Sequence, residues 1–227
     1  MNKKRLLDED ELATSSVVAN CCMNRERDLR GSNGYGVEIG FDPLEWLQAR
    51  LARQRSVHWL DLCCGSGKAL IQAATLSVDQ AGRTVQITGV DLVGMFLPNK
   101  SSNLQLVQCS VFDYEPPDQF DLITCVHGLH YLGDKLQAIK LAASWLKSNG
   151  RFAANLDVAN ICLSEVGKGQ RRIVRLLRDQ GLEYLPAKHL LQCTGHKELK
   201  IPFEFRGADD SAGPNYTKQA VVNSYYA

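Results

Sequence analysis

Apolar runs that predict strands alternate with helix-spaced apolar positions along most of the chain. The run at residues 57–62 predicts a buried strand, and helical spacing of apolar residues begins at Ala69. Further strands are predicted at residues 84–92, 104–108, 121–126 and 151–156. This alternation predicts parallel strands joined by crossover helices, and therefore a sheet that is covered on both faces.

Three helices carry recognisable start or stop signals. Asp42, followed by proline, predicts a helix start, because aspartate caps the first turn and proline suits the first helical position. Asp134 is the expected cap of a later helix, which Asn149-Gly150 would end. A basic helix is predicted over residues 169–180, and we interpret its arginines as a solvated face. These arginines are Arg171, Arg172, Arg175 and Arg178.

Two parts of the chain depart from this alternation. Residues 114–119 are too few for a helix between the third and fourth strands, so a degenerate crossover is expected there. In the tail, residues 189–193 and 199–205 alternate in polarity and predict a hairpin. Residues 220–226 predict a last strand.

Composition indicates one domain in a reducing compartment. The 227 residues carry a formal net charge of +1, which predicts no attraction to nucleic acid or to an anionic membrane. None of the eight cysteines lies in a C-x-x-C pair, so neither zinc knuckles nor disulfides are predicted. The charged N-terminus lacks the apolar core of a secretory signal, and no apolar run approaches the ~20 residues of a membrane span. The expected location is cytoplasmic.

A turn motif follows the first strand, in the stretch VHWLDLCCGSGKAL. After Asp61 the side chains become small, and Gly65 and Gly67 precede a helix. This geometry directs backbone N–H groups at a ligand, and glycine lets the ligand approach. A dinucleotide motif needs a third glycine where Leu70 stands, and Asp61 would repel a pyrophosphate. An ammonium or sulfonium ligand would instead be attracted.

A second acid, Asp91, lies at the end of the second strand, where a carboxylate can accept hydrogen bonds from both hydroxyls of a ribose. The two acids and the turn resemble the cofactor site of class I S-adenosylmethionine-dependent methyltransferases of the small-molecule type. The family usually has glycine where this chain has Cys63, and many members have aspartate where Ser110 stands. The resemblance is clearest over residues 40 to 160.

The resemblance implies an α/β, Rossmann-like fold: a seven-stranded, mostly parallel sheet with helices on both faces and an antiparallel last strand. Residues 220–226 would supply that last strand. Residues 41–227 would form the cofactor-binding domain, and residues 1–40 an arm and lid. S-adenosylmethionine would be the cofactor and S-adenosylhomocysteine its product. By the same resemblance, its contacts would be Asp61, Cys63, Gly65, Gly67, Asp91, Leu92, Ser110, Val111, Cys125 and Val126.

The acceptor site is expected beyond the fourth strand, where HGLHYLGD follows at the carboxyl edge of the sheet. His130 is our first candidate for a general base and His127 the second, because imidazole titrates near neutral pH. Dense glycines around Tyr35 predict a loop that folds over a ligand. Further candidates for lining the acceptor site are Arg25, Asn33, Tyr35, Glu38, Tyr131 and Asp157.

The resemblance therefore implies in-line methyl transfer to an oxygen or nitrogen atom of a small organic acceptor, without metal, nucleic acid or membrane, and it leaves a homodimer open. Two other functions remain. One is a catalytically silent binder of the same nucleoside, which the departures at Cys63 and Ser110 keep open. The other is a nicotinamide-dependent oxidoreductase, which the missing third glycine disfavours.

Overall fold

A computed structural model describes residues 5–19, 26–77, 83–163 and 169–227. Its strands are β1 (Ser56–Leu62), β2 (Thr84–Asp91), β3 (Leu104–Gln108), β4 (Phe120–Cys125), β5 (Leu146–Asn155), β6 (Ile161–Leu163), β7 (Glu183–Leu185), β8 (Leu190–Thr194), β9 (Phe205–Asp209) and β10 (Asn223–Tyr226). Its helices are α1 (Glu9–Ala13), α2 (Ser16–Ala19), α3 (Tyr35–Ile39), α4 (Pro43–Leu51), α5 (Lys68–Leu76), α6 (Lys135–Ser144) and α7 (Gly169–Asp179). Within these ranges, no helix is long and apolar enough to cross a membrane.

A seven-stranded sheet has the order β3-β2-β1-β4-β5-β8-β7. The first five of these strands run parallel to one another, and β8 is antiparallel to both of its neighbours. No helix separates β3 from β4, as the short connection predicted. The predicted fold class, with its single reversed strand, is therefore confirmed.

The predicted position of the reversed strand is wrong. β8 inserts between β5 and β7, whereas β10 lies in a separate three-stranded sheet between β6 and β9. The predicted hairpin is also wrong, because residues 199–204 form no strand. Alternating polarity identifies a half-buried strand but does not identify its partner, and these strands are four or five residues long.

Neighbouring residues of β1 explain why its apolar run is continuous. Trp59 packs on one face of the sheet with Leu47 of α4, and Leu60 packs on the other face with Ile139 of α6. All four side chains are fully buried. A parallel strand that is covered on both faces has no polar face to present, so the sequence shows a run instead of alternation.

Gly89 of β2 lets the turn and α5 approach the sheet closely. It pairs with Asp61 across the β1–β2 ladder. A Cβ atom at Gly89 would lie 2.6 Å from Cδ1 of Leu70 and 2.8 Å from Sγ of Cys64. This glycine on a neighbouring strand creates the close helix–strand packing that a third glycine in the turn would otherwise permit.

The N-terminal arm is docked on the rest of the protein over its described part. Leu7 forms a bridge with Ala208 of β9, and the side chain of Glu9 accepts a hydrogen bond from the backbone N–H of Asp134. Ser15 donates to Asp210 at 2.7 Å. These contacts hold α1 and α2 over the carboxyl edge of the sheet.

We expect Gly89→Ala to lower the free energy of unfolding by about 1–3 kcal/mol, because the added methyl group overpacks the contact with Leu70 and Cys64. Urea denaturation measures this change. Gly36→Ala is the matched control, since its Cβ would meet nothing closer than 3.5 Å and alanine favours the helix α3. Equal stability of the two variants would contradict the packing role of Gly89.

Candidate functional site

The turn after β1 contains three residues in the left-handed region. Cys63, Gly65 and Gly67 have φ angles of 56°, 61° and 72°. Gly67 is the N-cap of α5, so the chain reverses sharply just before that helix begins. Cys63 adopts this conformation without being a glycine, at a cost of about 1–2 kcal/mol. The departure at Cys63 thus retains the backbone shape that the motif requires.

Asp61, at the end of β1, is fully buried and held by two hydroxyl groups. Tyr35 of α3 donates to Oδ2 at 2.7 Å, and Thr124 of β4 donates to Oδ1. Trp59 in turn donates its indole N–H to Oγ1 of Thr124 at 2.8 Å. Burial raises the pKa of Asp61 to about 7, although both hydroxyls oppose the shift. Tyr35, predicted to line the acceptor site, thus contacts a predicted cofactor residue.

Asp91 connects the second strand to the turn. Its Oδ2 accepts the backbone N–H of Gly65 at 2.9 Å, and its Oδ1 accepts that of Val93 at 3.0 Å. Its negative charge contributes to the raised pKa of Asp61. The structure therefore brings the two predicted acids to one edge of the sheet, with the turn between them.

A cavity of about 190 Å³ lies between this edge and the N-terminal helices. Six predicted site residues line it: Cys63, Asp91, Leu92, Ser110, Val111 and Tyr131. Leu12 and Val18 of the arm form part of the opposite wall. Asp61, Gly65, Gly67, Cys125 and Val126 are not in its wall, and both Cys125 and Val126 are buried. Tyr131, predicted on the acceptor side, lies in the same cavity as Asp91.

The residues that line this cavity fit an adenosine group. Leu92 and Val111 offer apolar surface to a flat ring. The Asp91 carboxylate lies beside them and can accept hydrogen bonds from hydroxyl groups. The volume is smaller than the ~300–1,000 Å³ usual for ligand pockets. A nucleoside would therefore need the docked arm to move away from the edge of the sheet.

A second cluster joins α3 to the loop after β4. Nε2 of His127 lies 3.0 Å from Oε2 of Glu38, and Nη1 of Arg27 donates to Oε1 of Glu38 at 2.5 Å. Burial lowers the pKa of His127, and the interaction with Glu38 opposes that shift. Among the described residues, Nδ1 of His127 has no hydrogen-bond partner, and Nε2 lies close to Glu38 without the alignment of a standard hydrogen bond. The neutral ring can therefore accept a proton on Nδ1.

His130 lies next to His127, with 5.4 Å between the ring centroids. Its Nε2 is 3.3 Å from the hydroxyl of Tyr216, and Tyr216 stacks on His189 with 3.7 Å between centroids. His130 is fully buried, which lowers its pKa well below the usual value, and the nearby His127 adds to the effect. Burial raises the pKa of Tyr216, and the charges of Glu38 and Asp157 add to the effect.

Sequence reasoning missed Arg27, Tyr216 and His189. Tyr216 is one aromatic residue in a long polar loop, and His189 lies in the stretch assigned to a hairpin. Neither carries a motif that could have been found. Asn33 accepts a hydrogen bond from Arg27 at 3.1 Å, and Arg25 lies outside the described residues.

Helix α3 connects the two clusters. Tyr35 and Glu38 are three residues apart on it, so their side chains share a face. Tyr35 reaches Asp61 and Glu38 reaches His127, which places the histidines beside the turn.

Comparison with known proteins agrees with this geometry. A family model described as a methyltransferase domain matches residues 60–152. A 27-O-demethylrifamycin SV methyltransferase of Amycolatopsis mediterranei (strain S699) is 27% identical over 179 residues, which cover 67% of this chain and 64% of the relative. A ubiquinone biosynthesis O-methyltransferase of Aeromonas salmonicida (strain A449) is 22% identical over 222 residues, covering 94% of this chain and 84% of the relative.

Solved structures are more distant. Coclaurine N-methyltransferase, bound to N-methylheliamine and S-adenosylhomocysteine, is 16% identical with a TM-score of 0.37, over 49% of this chain and 34% of that one. The family match, by contrast, includes the turn, both acids and the histidine loop. Residues 60–152, which carry these features, are thus similar to a methyltransferase domain.

Proposed function

We propose that this protein transfers the methyl group of S-adenosylmethionine to a hydroxyl oxygen of a small organic acceptor. The observation that carries the proposal is the pair of buried His127 and partly buried Glu38 beside the turn, with 3.0 Å between Nε2 and Oε2. A hydroxyl group must lose its proton to become a good nucleophile, whereas a neutral amine needs no base. Two relatives named as O-methyltransferases support oxygen as the receiving atom.

S-adenosylmethionine, when bound, supplies a methyl group that its positively charged sulfur has already activated. Asp91 would accept the ribose hydroxyls, and Leu92 and Val111 would contact the adenine. Asp61 would provide negative charge behind the turn. Cys63, Gly65 and Gly67 would present backbone groups to the methionine portion, and Cys125 and Val126 would support the turn from behind.

In this mechanism His127 is the general base. Its Nδ1 takes the proton from the acceptor hydroxyl, while Nε2 lies 3.0 Å from the carboxylate of Glu38, whose negative charge stabilises the imidazolium that forms. No carboxylate of the described residues pairs with His130, which contacts Tyr216 instead. We therefore place His127 before His130 as the base and assign His130 to the wall of the acceptor site.

A methyl-transfer assay tests the function. With labelled cofactor and a small-molecule extract, we expect label in one or a few hydroxylated compounds, and we expect His127→Gln to lower the rate by about 10²–10⁴-fold. The affinity for S-adenosylhomocysteine should stay unchanged. His196→Gln, at a solvent-accessible histidine far along the chain, is the control. Binding of S-adenosylhomocysteine without transfer to any acceptor would favour the silent binder, and full activity of His127→Gln would exclude it as the base.

Asp91→Ala should weaken the binding of S-adenosylhomocysteine by about 1.5–3 kcal/mol, because hydrogen bonds to a charged group are lost. Isothermal titration calorimetry measures this change. Asp118→Ala, which removes an exposed carboxylate between β3 and β4, should bind normally. Unchanged affinity of Asp91→Ala would contradict the ribose assignment.

Glu38→Gln should lower the pKa of His127 further, because it removes the carboxylate that opposes the effect of burial. NMR titration of the histidine ring protons measures this shift directly and needs no acceptor. Glu45→Gln is the matched control, since Glu45 is an exposed residue that lies near Arg30. A pKa that stays constant or rises in Glu38→Gln would show that the pair does not act as described.

A further inference from the structure

A groove of about 720 Å³ lies beside the acceptor site, and we call it the α7 groove. One wall comes from α7, with Arg171, Arg175 and Arg178. The other comes from β7 and from the segments that follow β5 and β7, with Tyr184, Asp157 and His189. The groove is therefore basic on one side and continuous with the histidine cluster on the other.

The arginines face the groove because of how α7 packs. Ile173 and Leu177 are fully buried in the core. Positions 171, 175 and 178 are four and three residues apart, so they share one helix face. Arg172 lies elsewhere, with its guanidinium 4.9 Å from the ring centroid of Phe203.

Positive charge in the α7 groove is only partly compensated. The Asp179 carboxylate lies 3.5 Å from Arg175, and Asp157 accepts the backbone N–H of Ala159 at 3.0 Å. Within the described part of the chain, neither Arg171 nor Arg178 has a carboxylate within ion-pair distance. Two guanidinium groups thus remain to bind an anion, and guanidinium matches the geometry of carboxylate and phosphate.

The stacked rings of His189 and Tyr216 connect this groove to the proposed site of methyl transfer. His189 lines the groove, and Tyr216 reaches His130. A molecule whose hydroxyl group lies at His127 and whose other end passes this stack would enter the α7 groove. The groove is where the part of the acceptor that does not react would lie.

We propose that the α7 groove binds a carboxylate or phosphate group carried by the methyl acceptor, through Arg171 and Arg178. This rests on the proposed function of the adjacent site and narrows its substrate class to acidic hydroxylated compounds. Under this proposal, the interpretation of the four α7 arginines as a solvated face no longer describes Arg171 and Arg178.

Phenyl phosphate and benzoate, added separately to the full chain, are the probes. Backbone amide NMR titration should show saturable shifts along α7, and the preferred probe identifies phosphate or carboxylate as the group recognised. The double variant Arg171→Gln, Arg178→Gln should weaken that binding by about 10-fold or more, because charge-assisted hydrogen bonds are lost. Arg172→Gln, the same change on the same helix, should leave it within about 2-fold.

If neither probe causes amide shifts along α7 at a concentration of about 10 mM, binding is too weak to matter and the proposal is overturned. An equal loss of binding in the double variant and in Arg172→Gln would also overturn it, because that result indicates unspecific attraction. S-adenosylhomocysteine binding is measured on the same samples. If the unmodified protein does not bind S-adenosylhomocysteine, that result counts against the proposed function alone. If the double variant still binds it, the fold of that variant is intact.

Discussion

The hydrogen bonds to Asp61 hold the site together. A carboxylate that is fully removed from water is costly unless donors satisfy it, and here Tyr35 and Thr124 supply two hydroxyls from different elements. They tie α3, which lies before the sheet in the chain, to β1 and β4. The position of α3 in turn fixes Glu38, and Glu38 fixes the ring of His127. One buried carboxyl group thus links the turn to the histidine cluster.

The central sheet could be predicted from the sequence because its strands are covered on both faces. Trp59 and Leu60 point to opposite layers, so a continuous apolar run was a sound signal. The C-terminal third could not be assigned in the same way. β8 and β10 look alike as short alternating segments, but one inserts between β5 and β7 and the other pairs with β6. Their partners depend on packing between distant parts of the chain.

The same distinction applies to the site. Asp61, Asp91 and the turn are close in sequence to the strands that position them, and the motif identified them directly. Arg27, Tyr216 and His189 join this cluster from three separate regions, and Tyr216 is 86 residues away from its partner His130. No local sequence pattern predicts such contacts between distant residues. The structure also shows that Cys63 adopts the left-handed conformation of a glycine. Its residue type alone had indicated a departure from the motif.

The raised pKa of Asp61 has a consequence for how the protein responds to acidity. An ordinary aspartate loses its proton near pH 3.8, whereas Asp61 in the folded chain keeps it until about pH 7. Between these values the folded protein holds a proton that the unfolded chain has released, so this carboxyl group makes folding less favourable as pH rises. A cation placed near Asp61 favours the ionised form, so its affinity would increase as the pH rises toward about 7. The unliganded protein therefore becomes less stable over the same rise in pH that increases its affinity for a positively charged ligand.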